Sequence, residues 1–415
     1  MTDFDLVVVG GGPAGLGAAL RAARRGARVT LVEAAPGPGG LCRTLSRDGM
    51  RYDLGGHIPF VRDGERLAWM RELLGDDMAF VPLPVASTVG DGDVQAGRYL
   101  DQRPPPRPLG DGPVPAPVPG GDGAAYLEGV VGGAFRDVVM RAYLEKVDGV
   151  PLERIPAERI ARLMLNQAAP EGFWFPRYGI GALMDAMAAS ARDAGGDLRF
   201  ATPAVGIDAA GGRFRAVTLA SGERVTAPAA VLAIPAALAA RLIAAGDGGP
   251  EPADIPMRAC AIVFVRVDGA ATLTPHAWIQ CDHPGVPFTR VMETRHWSDA
   301  MVTGDATVLG MECYCFASGA DPVWRLDDAA LGDACIAALR GPLGWLAADR
   351  AAELIEVVRL PRAYPVADVR SAPAWRAVAQ TVGAVAGVAH APGSEVIAAV
   401  EAGERAADAL LASGA

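Results

Sequence analysis

Gly10, Gly12 and Gly15 follow the apolar run of residues 6 to 9 at G-x-G-x-x-G spacing, and Glu33 closes a second apolar run, residues 29 to 32. Glycines in this pattern break no bonds; they make room for phosphate. One permits a tight turn, one lets a pyrophosphate approach the backbone, and the third lets the next helix close on its strand. Pro13 and Ala14 open that helix, whose first turn presents free amides and the positive end of the helix dipole. Glu33, with Ala34 behind it, is placed to accept hydrogen bonds from an adenosine ribose. Strand, turn, helix, strand and acid together predict a bound dinucleotide. Groups able to grip an anion or move a proton are fewer. Arg290, in PFTRV, sets a guanidinium in an otherwise apolar strand, which costs free energy unless it meets an anion, a cofactor or an acidic partner. His57, in GGH, can donate a hydrogen bond or move a proton near neutral pH.

The continuation selects among dinucleotides. Two further glycine pairs follow, Gly39-Gly40 in GGLCRT and Gly55-Gly56 in DLGGH. A nicotinamide cofactor has no evident need of them, whereas FAD, with a ribityl chain and a three-ring head, must be followed by backbone much further. These segments resemble the FAD-dependent amine oxidase and protoporphyrinogen oxidase-like superfamily, which also holds carotenoid desaturases and UDP-galactopyranose mutase. Residues 143 to 164 are similar to a helical segment of its substrate domain, and residues 173 to 196 resemble its F-x-Y-P-x-x-G-x-G stretch with the helix after it. Residues 204 to 207 and 231 to 235 look like the strands returning to the adenine side, while 286 to 298 and 362 to 366 fit the substrate strands and the flavin-facing end. The resemblance spans nearly the whole chain.

It implies non-covalent FAD, since no SGGC-like segment suggests covalent attachment. Beyond Gly10, Gly12, Pro13, Ala14, Gly15, Glu33 and Ala34, the implied cofactor contacts are Gly39, Gly40, Leu41, Arg43, Thr44, Gly55, Gly56, His57 and Val205. Family members commonly carry Asp or Arg just after the glycine of the last cofactor strand. Here Val388 follows Gly387, so that contact is expected from backbone amides near Ser394, Glu395 and Val396, or from elsewhere. His57 lies where the family's chain passes the isoalloxazine, Tyr364 in AYP is expected to wall the flavin pocket, and Arg290 to meet substrate; a structural histidine, core packing and an ion pair are the plainer readings. Trp174, Tyr178, Glu312 and Tyr314 are weaker candidates. Lys146, the only lysine, resembles a helical family position and not the active-site lysine of amine oxidases. The implied activity is an FAD-dependent oxidoreductase that dehydrogenates a small organic substrate by hydride transfer to flavin N5, with oxygen or another acceptor reoxidising the flavin. One alternative is a redox-neutral, reduced-flavin sugar mutase resembling UDP-galactopyranose mutase. Another is a non-catalytic binding protein of the same fold, as Rab-escort proteins are.

Positioning these groups requires a discontinuous Rossmann-like α/β domain of the glutathione reductase type, residues 1–75, 171–248 and 355–415. A substrate domain of mixed sheet plus helices, residues 76–170 and 249–354, interrupts it. Residues 103 to 121 are proline-rich, which forbids a regular helix or central strand there. The 415 residues are 51% hydrophobic and 21% charged, ordinary globular content, and a net charge of -10 disfavours nucleic acid and anionic membrane as partners. No apolar run approaches a membrane span and no signal peptide is evident, so a cytoplasmic enzyme acting on small molecules is expected. The six cysteines show neither CxxC nor zinc spacing, and His276, His283 and His296 have no ligand spacing, so no metal is expected. Cys313 and Cys315 flank Tyr314 in a strand and should point the same way, as packing residues.

Overall fold

The computed structural model describes residues 3–61, 63–82, 85–89, 93–96, 115–166, 172–248, 252, 254–269, 272–391, 393 and 395–413. Leu6–Val9 and Val29–Val32 are buried at every position. Uninterrupted apolar runs of this kind need cover on both faces, the condition of a central parallel strand. They form a five-stranded parallel sheet with Asp197–Arg199 beyond Val29–Val32, and Ala230–Leu232 and then Val388–His390 on the other side. Helix Pro13–Arg24 packs against the C-terminal helix Val396–Ala412. Small residues set the distance: a Cβ on Gly403 would lie 1.8 Å from the Ala14 carbonyl oxygen, and one on Gly17 2.5 Å from that of Val400. Ala14 meets Gly403 while Arg21 and Arg25 both meet Asp408, so the helices run in the same sense. Their N-termini therefore share one end of the sheet.

The second large sheet has seven strands: Ala352–Pro365, Met257–Asp268, Ala306–Cys315, Arg290–Glu293, Trp278–Gln280, Val85–Val89 and Asp93–Ala96, in that order. Ala306–Cys315 is buried at all positions instead of alternating. The reason is cover on both sides. Leu309, Met311 and Cys313 pack with Leu331, Cys335 and Leu339 of helix Asp328–Arg340, while Val308 and Tyr314 pack toward the body that holds the parallel sheet. Cys313, whose Sγ lies 3.9 Å from that of Cys335, is a buried free thiol like the other five cysteines.

One boundary departs from the sequence reading. The boundary at residue 355 falls inside Ala352–Pro365, which pairs along almost its whole length with Met257–Asp268, so the inserted region continues to about residue 365. Its Ala352, Leu354 and Val357 pack on the cluster under helix Asp328–Arg340, Ile355, Val358 and Leu360 pack on the larger core shared with the parallel sheet, and helix Ala372–Gly383 then packs in the cofactor body's second cluster. Of the proline-rich segment, residues 103–114 lie outside the described residues, and 115–121 form neither helix nor strand.

Helix Arg141–Asp148 is bolted to the inserted sheet by two cations. Lys146 Nζ donates to the carbonyls of His283, Val286 and Phe288 at 3.2, 3.0 and 2.6 Å. Arg258 donates to the Lys146 and Val147 carbonyls at the helix C-terminus, where orphan acceptors and the negative dipole end favour a cation. Among the described residues no helix is long and apolar enough to cross a membrane.

Candidate active site

The glycine turn is built as its spacing requires. Gly10 has φ of +106°, a conformation side chains resist, and its amide bonds to the Val32 carbonyl at 2.9 Å. A Cβ on Gly15 would lie 1.8 Å from the Gly10 carbonyl oxygen, whereas one on Gly12 would meet nothing within 4 Å. The open flank of Gly12 is where a pyrophosphate can approach the backbone, beside the opening turn formed by Pro13 and Ala14. Glu33 stands at this turn, its carboxylate accepting from the Gly11 amide at 2.5 Å and the Ala35 amide at 2.7 Å. The Gly39 amide donates to the Gly11 carbonyl at 2.7 Å, and Gly40 faces the Gly12 Cα. The second glycine pair is thus pinned to the first, with Leu41 next in chain, and Arg43 Nε returns to the Gly40 carbonyl at 2.9 Å.

Thr202 N to Glu33 O and Ala201 N to Ala35 O bring the following segment beside the acid, and Val205 there is 46% exposed. Glu395 and Val396 open the C-terminal helix, at the end of the sheet that holds Gly12. Gly387 does not join them. It precedes the strand Val388–His390 and packs on Pro228, at the opposite end of the sheet; the end facing the glycine turn is His390, whose Nε2 lies 2.8 Å from the Ile234 carbonyl oxygen.

Thr44 also has another task. Its hydroxyl donates to Asp53 at 2.5 Å and accepts from the Gly181 amide at 2.8 Å, while Asp53 accepts from the Ile180 amide at 3.1 and 3.2 Å. Two residues from the two cofactor-side segments therefore cap helix Ile180–Asp193 together. The surrounding protein strips most solvation from Asp53 and pushes its pKa up to about 7, against the lowering effect of those hydrogen bonds.

Beyond Gly55 and Gly56 lies a polar cluster. Arg290 Nη2 is 3.2 Å from Glu312 Oε2 and donates to the Tyr314 hydroxyl at 2.5 Å; that hydroxyl donates to Glu312 at 2.9 Å. Glu312, only 3% exposed, also accepts from the Gly56 amide at 3.2 Å, tying the cluster to the cofactor-side loop. Of the partners open to Arg290, the acidic one is present. Strand register sets Arg290 opposite Glu312, and a charge buried this deeply needs its counter-ion. Glu312 and Tyr314, weaker candidates by sequence, are thus the centre of this cluster. His57 stands beside this pair, Nδ1 3.2 Å from the Gly55 carbonyl oxygen. Burial lowers its pKa, with Glu312 opposing, so the imidazole is held neutral at physiological pH. The Tyr364 ring lies 5.9 Å from that of Tyr314; it is 40% exposed, yet loss of solvation raises its phenol pKa.

The sequence reading missed Trp278 and Gln280. The Arg290 guanidinium carbon lies 5.3 Å from the Trp278 ring centroid, and Gln280 pairs with Arg290 across the strands. Alternation in Trp-Ile-Gln was the available signal, since positions two apart share a sheet face. Trp174 and Tyr178 instead stack with Arg71 and Arg51, 5.0 Å away in each case. His276 and His296 both lie beside Thr274, but no group of three ligating side chains among the described residues could hold a metal.

The arrangement is a cradle for a long dinucleotide that ends at a buried, charge-balanced wall, and such a site suits redox chemistry carried by a flavin. Residues 157–411 match the flavin containing amine oxidoreductase model, and residues 8–73 match that of the NAD(P)-binding Rossmann-like domain. The chain belongs to the flavin containing amine oxidoreductase family. The phytoene dehydrogenase of Streptomyces griseus is 28% identical over 294 residues, 60% of this chain and 57% of that protein. The ferredoxin--NADP reductase of Lactococcus lactis subsp. lactis is 43% identical over 56 residues, and the chain spans only 17% of its length. Among solved structures, a reduced UDP-galactopyranose mutase superposes with a TM-score of 0.77 at 20% identity, covering 99% of this chain and 96% of that one. Putrescine oxidase bound to putrescine gives 0.68 at 17% identity, with 99% of both chains covered. At such identities the likeness is one of fold.

Proposed function

We propose that the chain binds FAD non-covalently and dehydrogenates a small organic substrate held against the Arg290–Glu312 wall. When bound, the flavin supplies the hydride acceptor at N5. The observation that carries the reading is the bond from the Gly56 amide to Glu312, which joins the cofactor-side glycines to the wall. Gly10, Gly12, Gly15 and the second glycine pair leave the backbone open to the pyrophosphate, Glu33 holds the ribose end, and Val205 covers the adenine. The opening turns of the two parallel helices, at Ala14 and at Glu395 and Val396, turn amides toward the phosphates. His57, kept neutral by burial, can donate to the flavin edge or accept a proton the substrate releases. Arg290, its charge balanced by Glu312, orients substrate through N–H donation, and Tyr364 closes one side. No lysine stands on this wall, since Lys146 is spent on backbone carbonyls, which argues against simple amine oxidation.

Anaerobic mixing of the FAD-loaded protein with candidate substrates tests this. Bleaching of the flavin together with a product lighter by two hydrogens is expected. Turnover that needs prior dithionite reduction and yields an isomer supports the mutase-like alternative instead, and a protein that takes up no FAD refutes the reading. Flavin retained in the pellet after acid precipitation refutes the non-covalent part alone.

A further inference from the structure

Three polar atoms on the substrate-side wall, Trp278 Nε1, Gln280 Oε1 and Arg290 Nε, are buried without a hydrogen-bond partner among the described residues. They are neighbours. Trp278 and Gln280 are two apart on one strand, Gln280 pairs with Arg290 on the next, and the Arg290 guanidinium stacks over the Trp278 ring. Gln280 is 8% exposed. Leaving a buried donor or acceptor unpaired costs about 1–3 kcal/mol, and native interiors rarely do so. Three in one patch, beside the residues that tie this wall to the cofactor-side loop, point to a bound molecule that pairs them.

The set is two N–H donors and one acceptor, and its charge decides what it takes. Glu312 already balances Arg290, so a carboxylate here would leave an uncompensated buried charge, which is far costlier than an uncharged oxygen. Resting on the reading of this wall as the substrate side, we propose that Trp278, Gln280 and Arg290 recognise an uncharged amide edge of the substrate. Its carbonyl oxygen accepts from Trp278 Nε1 and Arg290 Nε, and the adjoining N–H donates to Gln280 Oε1. Lactams, cyclic imides and primary amides carry C=O and N–H on one edge, which trans secondary amides do not; esters and carboxylates lack the N–H.

Calorimetric titration of the FAD-loaded protein with benzamide, methyl benzoate and benzoate tests the assignment. Benzamide is expected to bind about tenfold more tightly than either of the others, the equivalent of one neutral hydrogen bond. Gln280→Met should abolish its advantage over the ester, with FAD content and melting temperature kept. Trp278→Phe, which deletes the shared carbonyl donor, should weaken amide and ester alike. The proposal is overturned if benzoate binds best, if Gln280→Met keeps the amide preference, or if none of the three binds. Flavin reduction by a substrate without amide preference sinks this inference alone. Amide preference in a protein whose flavin no substrate reduces sinks the dehydrogenase reading alone.

Discussion

Removing Arg290 should cost more than removing Arg290 and Glu312 together. In Arg290→Met the Glu312 carboxylate keeps two contacts, the Gly56 amide at 3.2 Å and the Tyr314 hydroxyl at 2.9 Å, but loses its counter-ion at 3.2 Å. The Glu312 side chain is 4% exposed and that of Arg290 16%, so solvent screens the pair little. Stranding one member of such a pair costs about 3–5 kcal/mol, while replacing both by uncharged groups of similar size is close to neutral. At roughly 2 cal/mol/K of unfolding entropy per residue, a chain this long loses about 3 to 6 °C of melting temperature in Arg290→Met. Arg290→Met/Glu312→Gln should fall within about 1 to 2 °C of wild type on the same scale. The assay is a double-mutant cycle in melting temperature, run on FAD-loaded and FAD-free protein. Additive losses from the two single variants would falsify the account of the pair as mutually compensating buried charges.

Asp53 gives the fold a pH dependence of definite sign. Folded, it holds its proton to about pH 7; unfolded, it releases it near its ordinary value of 3.8. Its contribution to stability is therefore full below the lower value and is lost as pH rises to the upper, at about 1.4 kcal/mol per pH unit in between. Asp53→Asn, which keeps an acceptor for Thr44 and Ile180, should flatten the melting-temperature profile from pH 4 to 7; an unchanged slope assigns the effect elsewhere. Gly12→Val should melt like wild type when FAD-free but stay colourless, because its side chain fills only the pyrophosphate's space, and a yellow Gly12→Val protein would refute that. His57→Ala should keep its FAD yet slow flavin reduction by about 10² to 10³ in stopped flow, the usual cost of losing a positioned proton donor or acceptor; an undiminished rate removes His57 from the chemistry.

The glycine turn was legible because its physics is local. Gly10, Gly12 and Gly15 act within six residues on backbone their own spacing places. The site beyond it was not, because its partners meet through register between distant strands. Nothing near Arg290 announces Glu312, Trp278 and Gln280 were found only by pairing, and the Thr44 hydroxyl is claimed by a helix that begins at Ile180. Gly387 misled for a related reason. A glycine beside a short apolar run marks a strand end, but sequence does not say which end, and here the strand starts after it. The boundary at 355 failed similarly, since Ala352–Pro365 owes its place to pairing with Met257–Asp268, nearly a hundred residues earlier.

Lys146 is the chain's single side-chain amine, and its three N–H bonds are aimed at the carbonyls of His283, Val286 and Phe288. An acylating reagent needs the lone pair of a free, deprotonated amine, which this ammonium cannot offer while it stays docked. Modification at this position therefore counts the moments when helix Arg141–Asp148 lifts from the inserted sheet. Lys146 is thus a single built-in reporter of that helix's release, read by peptide mass mapping, which separates it from the backbone α-amine.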